Sequence, residues 1–139
     1  MARNIIPGFR YADAPAAIDF LCEAFGFTRH AVYADDGDPS LIHHAQLTLD
    51  GGMIMLGSHR DGEVQRRYGW KTPAEAGGNT ASIYVYVADP DAHCEHARTA
   101  GAEIVDAPRD NDGYPGRGYS ARDGEGHVWS FGSYDPWAD

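Results

Sequence analysis

The chain has 139 residues, enough for one domain that buries about two thirds of its unfolded surface. Against 21 Asp and Glu it carries only 11 Lys and Arg, a formal net charge of −10. That balance excludes a nucleic-acid binder and an anionic-membrane binder, both of which need clustered cations. It suits a cationic or neutral partner, and is equally ordinary for an acidic cytoplasmic protein.

The apolar segment 5–11 reads as a strand. It ends at Tyr11-Ala12-Asp13, with Pro15 next, so Asp13 caps a helix that has Pro in its first turn. Ile18, Leu21, Cys22 and Phe25 form the helix's apolar stripe, and Gly26 suits its C-terminal cap. Strands follow over 28–33, 42–49 and 53–56, separated by Asp36-Gly37-Asp38 and Asp50-Gly51-Gly52. Residues 59–79 are polar and Gly-rich, a connector that covers part of a surface.

The plan then repeats. Segment 81–87 is a strand ending at Val87-Ala88-Asp89, with Pro90 next. A helix carries Cys94, Ala97 and Ala100 before Gly101, and strands follow over 103–106, 118–121 and 128–132. Their turns are Asn111-Asp112-Gly113 and Asp123-Gly124-Glu125-Gly126. Both halves close on Gly-Ser, at Gly57-Ser58 and Gly132-Ser133. Tyr11 and Val87 lie 76 positions apart, and Gly57 and Gly132 lie 75 apart. The expected fold is therefore α+β. Two tandem βαβββ modules, about 4–58 and 80–133, lie within one domain spanning 1–139. One helix covers only one face of each sheet, so the mixed sheets curl around an open cleft.

This plan resembles the vicinal oxygen chelate superfamily, and most closely its glyoxalase/bleomycin-resistance type. The likeness is carried by Ala17-Ile18-Asp19-Phe20 through Ala24-Phe25-Gly26-Phe27, by Val87-Ala88-Asp89-Pro90-Asp91-Ala92, and by Arg122-Asp123-Gly124-Glu125-Gly126-His127-Val128-Trp129. The fold hosts both binding and several chemistries, so it does not by itself assign a function. Metal-dependent members place a His or Glu at one position on the first and last strand of each module. Carried over, these positions are Ile6, Met55, Ser82 and Ser130. None supplies an imidazole or carboxylate, so no metal and no other cofactor is expected. Of the histidines, His44 is kept as a cleft residue. His93 and His96 read as solvated helix histidines, and His127 as a turn hydrogen-bonding residue. There is no Gly-x-Ser-x-Gly elbow, and Cys22 and Cys94 read as packing residues, so no catalytic residue is assigned.

Alternation along the strands puts Gly8, Arg10, Met53, Tyr84, Tyr86 and Val128 on the cleft face with those four positions. Phe9, Tyr11, Ile83, Val85, Val87, Ile54, Leu56, Trp129 and Phe131 then lie under the helices. The candidate ligand-binding set is Arg10, His44, Met53, Met55, Trp70, Ser82, Tyr84, Tyr86 and Ser130. By the resemblance, Arg10 stands where glyoxalases contact a substrate carboxylate; pairing with an acidic side chain of the fold is the other reading. Tyr68 and Trp70 fit a stacking lid or a contact with a second subunit. The resemblance implies a homodimer. The expected function is metal-independent sequestration of a partly planar, cationic antibiotic-like small molecule in the cytoplasm, with a glyoxalase-like isomerase or lyase as the alternative. No apolar run approaches the about 20 residues of a membrane span, and the N-terminal segment has no signal-peptide pattern.

Overall fold

A short parallel strand, β1 (Gly8–Tyr11), opens the first module in the computed structural model, which describes residues 4–138. After it come α1 (Ala14–Phe20) with a wider π turn (Leu21–Phe25), then β2 (Thr28–Ala34), β3 (Ile42–Leu49) and β4 (Gly52–Ser58). The connector holds two short helices, α2 (Glu63–Tyr68) and α3 (Pro73–Ala76). The second module is β5 (Ile83–Tyr86), α4 (Pro90–Thr99), β6 (Glu103–Asp110), β7 (Arg117–Arg122) and β8 (Val128–Gly132).

The two modules share one topology. Their strand orders are β1-β4-β3-β2 and β5-β8-β7-β6, with the first and last strand of each module parallel. Gly8 faces Met55 in one, and Tyr84 faces Ser130 in the other. The sheets are mixed, carry helices on one face and do not close, which is the α+β plan expected from the repeat. Both helices start as their sequences dictate. Asp13 accepts from the Ala16 N–H at 3.1 Å, and Asp89 from the Ala92 N–H at 3.0 Å, each with Pro in the first turn. Gly26 ends the first helix in the left-handed region at φ 91°, where a side chain would be strained. The closing Gly-Ser pairs also act alike. Ser58 Oγ accepts from the Ile42 N–H at 2.8 Å, and Ser133 Oγ from the Arg117 N–H at 3.0 Å.

The core is shared between the modules. Tyr11, Ile54 and Leu56 from the first and Val87, Trp129 and Phe131 from the second are buried beneath the helices. Phe25 contacts both Trp129 and Phe131, with ring centroids 5.8 and 4.8 Å apart. Asp123, 7 % exposed, lies at the junction. Its Oδ2 accepts from the Tyr11 hydroxyl at 2.7 Å and from Trp129 Nε1–H at 3.1 Å. Its Oδ1 accepts the Glu125 and His127 N–H groups. The Glu125 carboxylate in turn accepts the Ala12 and Asp13 N–H groups at 2.7 and 2.8 Å.

His93 is a correction to the sequence reading, because α4 packs against the π turn and half-buries it, while His96 stays exposed. A helix leaves its last carbonyls unsatisfied, and two of these reach α4. His96 Nε2–H donates to the Glu23 carbonyl at 2.7 Å, and His93 Nε2–H to the Phe25 carbonyl at 2.9 Å. Since that carbonyl can only accept, His93 Nδ1 accepts a hydrogen bond from the Tyr119 hydroxyl, with 2.5 Å between nitrogen and oxygen. Burial holds His93 below the ordinary imidazole pKa, with His96 adding to the effect. His127 makes its turn bonds through the backbone, while its ring packs edge-on against Phe9 and Tyr11.

Asp123→Ala strips the partner from four donors, and we expect a loss of about 3 kcal/mol or more in urea unfolding. His93 is neutral when folded yet protonates readily when unfolded. Its contribution is therefore full above the ordinary imidazole pKa of about 6.5 and is lost as pH falls through its lower folded value. The urea midpoint should drop as pH falls below about 6.5, a drop that His93→Gln flattens.

Candidate functional site

Alternation along β1, β4 and β3 leaves one polar and aromatic face uncovered by helix. Arg10 from β1 lies opposite Gly57 of β4. A Cβ on Gly57 would come 2.7 Å from Arg10 Nη1 and 3.1 Å from the His43 carbonyl, so only glycine lets the guanidinium lie flat across the strand. Over it stands Trp70, its ring centroid 4.0 Å from Arg10 Cζ, and Tyr68 stacks on Trp70 at 4.9 Å and 14°. Burial lowers the Arg10 pKa from the usual guanidinium value.

The connector is fastened where it carries Trp70. Thr72 and Glu75 form a reciprocal capping box, and Glu75 also holds His59 Nε2 at 2.7 Å. The Thr72 N–H is the main reason the Glu75 carboxyl sits below its ordinary pKa. Further on, Asn79 donates to the Gly126 carbonyl at 2.9 Å and accepts from the Val128 N–H at 3.1 Å. By contrast α2 has no buried residue.

Beneath Trp70 is a cavity of about 220 Å³ that Arg10, His43, His44, Met55 and Trp70 help to line. His44 is held by Gln46 Nε2, 3.1 Å from its Nε2, and by Tyr33, whose ring stacks on it at 6.1 Å. Four of the nine predicted residues thus meet here: Arg10, His44, Met55 and Trp70. Met53, Tyr84 and Tyr86 line a different groove of about 720 Å³, with Ile6 and the exposed Trp137. The Tyr84 hydroxyl donates to the Tyr134 carbonyl at 2.6 Å, and burial raises its pKa. Ser130 Oγ pairs with Ser120 Oγ at 2.8 Å, and Ser82 is exposed just before β5. Within one chain the nine residues therefore do not form a single cavity. Gln46, Tyr33 and Gly57 are additions to the set. Gln46 lies two residues beyond His44 and was findable by alternation; Tyr33 needed the strand register.

The match to known proteins agrees with this geometry. The sequence model of the Glyoxalase/Bleomycin resistance protein/Dioxygenase superfamily matches residues 7–131. The chain belongs to this superfamily. The glyoxalase/bleomycin-resistance chain described here is 36% identical over 139 residues to an uncharacterized protein of Mycobacterium bovis, spanning 95% of this chain and 86% of the relative. A Mycobacterium tuberculosis protein is also 36% identical, with 77% of it covered. Among solved structures, TioX from Micromonospora sp. ML1 is 31% identical with a TM-score of 0.71, covering 94% of this chain and 98% of TioX. The fold alone is shared with the fosfomycin resistance protein FosX from Mesorhizobium loti, at 15% identity and TM-score 0.65, with 98% and 96% covered.

Metal-dependent members of the superfamily would need ligands at the cleft positions of the outer strand pairs. The positions carried over from such members are Met55 and Ser130 on β4 and β8, and Ile6 and Ser82, which precede β1 and β5 rather than lying in them; this donor set does not fit a divalent ion. Among the described residues no three His, Cys, Asp or Glu side chains converge elsewhere. Cys22 and Cys94 are free thiols, and burial raises both pKa values, away from the thiolate a nucleophile requires. The face presents a cation, flat rings, a thioether and an imidazole held by an amide.

A double-mutant cycle of Arg10→Ala and Trp70→Ala should report a coupling of about 0.5–1 kcal/mol in thermal or urea unfolding, the scale of a partly exposed cation–π pair.

Proposed function

We propose that this superfamily member holds a small, partly planar molecule without chemical change, a sequestering role of the bleomycin-resistance kind. The observation that carries this reading is Arg10 laid on Trp70 above a cavity of about 220 Å³ lined by His44 and Met55. Both faces of the Trp70 indole are taken, by Arg10 and by Tyr68, so a flat ligand meets His44 and Met55. Met55 adapts to irregular shapes. The cavity lies below the about 300–1,000 Å³ of drug-sized sites, so one chain accommodates a compact ligand or one end of an antibiotic-sized one.

The proposal includes a homodimer in the cytoplasm. Family members often dimerise, and no helix among the described residues is long and apolar enough to cross a membrane. The groove lined by Ile6, Met53, Tyr84 and Tyr86 leaves apolar surface exposed, with both tyrosines 47% accessible. A second copy seated there would cover this apolar surface.

The test is a Trp-fluorescence screen of planar antibiotics, with mass spectrometry of the recovered compound. A saturable signal with the compound intact supports sequestration, and the ligand at 100 times its Kd should stabilise the fold by about 2.7 kcal/mol, several degrees in Tm. A chemically altered compound replaces this reading with the isomerase or lyase alternative. Light scattering should give about twice the 15.1 kDa chain mass; a mass near 15.1 kDa overturns the dimer.

A further inference from the structure

Two of the polar side chains around the cavity beneath Trp70 are already engaged. Arg10 lies against the Trp70 ring, and His43 Nε2 is held by Asp35 at 3.0 Å. His44 differs from its neighbour. Among the described residues it pairs with no carboxylate; an amide and a ring hold it instead. Gln46 stands two positions along β3, so the two side chains share the open face. Its Nε2 lies 3.1 Å from His44 Nε2. Across the strand pair, Tyr33 of β2 is the register partner of His44, and its ring lies at 23° to the imidazole. Met55 of β4 is the register partner of Gln46 and continues the row toward β1.

An amide nitrogen can only donate, so His44 Nε2 accepts. The hydrogen bond at one imidazole nitrogen decides which nitrogen carries the proton, and here that places it on Nδ1. No described residue accepts from Nδ1. Nor is this nitrogen sealed in the core: the buried side-chain nitrogens without a partner, among the described residues, are His59 Nδ1 and His127 Nε2. His44 is half-buried and lines the cavity. It therefore offers an open N–H in a recess whose neighbouring wall, Phe9 and Met55, is apolar. An N–H group of a ligand placed there would meet another N–H and leave both unsatisfied, whereas an acceptor pairs with it.

The geometry points to His44 as the residue that selects the ligand, donating from Nδ1 to a carbonyl oxygen or ring nitrogen on a flat molecule, with Gln46 as the positioning residue that fixes its tautomer. The inference rests on the reading of this face as a small-molecule site and names the polar group that the ligand carries. Gln46 touches no ligand in this arrangement; it acts through the imidazole.

The test has two parts, both on the full chain. Long-range ¹⁵N–¹H correlation NMR, with the His44 signals identified by their loss in His44→Phe, should show a protonated Nδ1 and an unprotonated Nε2. In Gln46→Leu that pattern should give way to a mixture of tautomers. Calorimetric titration then compares 2-acetylnaphthalene with 2-isopropenylnaphthalene, in which a CH₂ group replaces the carbonyl oxygen. The ketone should bind about fivefold more tightly, the scale of one net hydrogen bond. Gln46→Leu should cut that preference to about twofold or less while leaving the affinity for the hydrocarbon unchanged. A proton on Nε2 in the unaltered chain overturns the inference without reference to any variant. Equal binding of the two probes overturns the acceptor assignment and leaves the small-molecule reading standing. A preference that survives Gln46→Leu in full overturns the role of Gln46. Absence of binding by both probes overturns the inference together with the reading on which it rests.

Discussion

A buried carboxylate with four donors around it is the constraint on which the rest of the structure depends. Asp123 would be costly inside the core if any of its partners were missing. Two donors come from its own turn, one from Trp129 and one from Tyr11 of the other module. The hydrogen bond to Tyr11 fixes the end of β1. Because side chains alternate along a strand, pinning Tyr11 to the core side commits Arg10 to the open side. Glu125 reinforces the joint by capping the backbone that leads into α1. The burial of Asp123, Tyr11 and Trp129 keeps this network away from competing water.

The open face is assembled around that commitment. Arg10 lies flat because Gly57 has no side chain, and Trp70 reaches it because the connector is fastened at Thr72, Glu75 and Asn79. The second module shows the same device: a Cβ on Gly132 would meet the Tyr84 hydroxyl at 2.6 Å. In both modules the glycine just before the closing serine makes room for a side chain from the first strand, and the serine ties the neighbouring hairpin. The difference lies in what fills the room. The first module presents a cation under an indole; the second presents a phenol bonded to the Tyr134 carbonyl.

Much of this was legible residue by residue. The Asp13 and Asp89 caps, the Gly26 turn and the assignment of Phe9, Tyr11, Trp129 and Phe131 to the helix side all depend on short-range geometry and on alternation. The roles of His93 and His96 were not legible. Their side chains bond to carbonyls at the end of a helix more than 65 residues away in sequence, at |i−j| of 68 and 73, and nothing local distinguishes them from solvated histidines. Arg10 was visible as a cleft residue, whereas its having no acidic partner among the described residues was not, since that depends on where the carboxylates end up.

The sequence by itself determined the doubled βαβββ plan, the helix caps, the turns and the parity of the strands. These follow from backbone preference and a period of two, which act over a few residues. Only the tertiary structure decided which open-face residues share a cavity and that Trp70 covers Arg10. Those outcomes depend on how two modules and a 21-residue connector between them pack, a matter of long-range shape and of which charges find partners, and neither is written in any one segment of the chain.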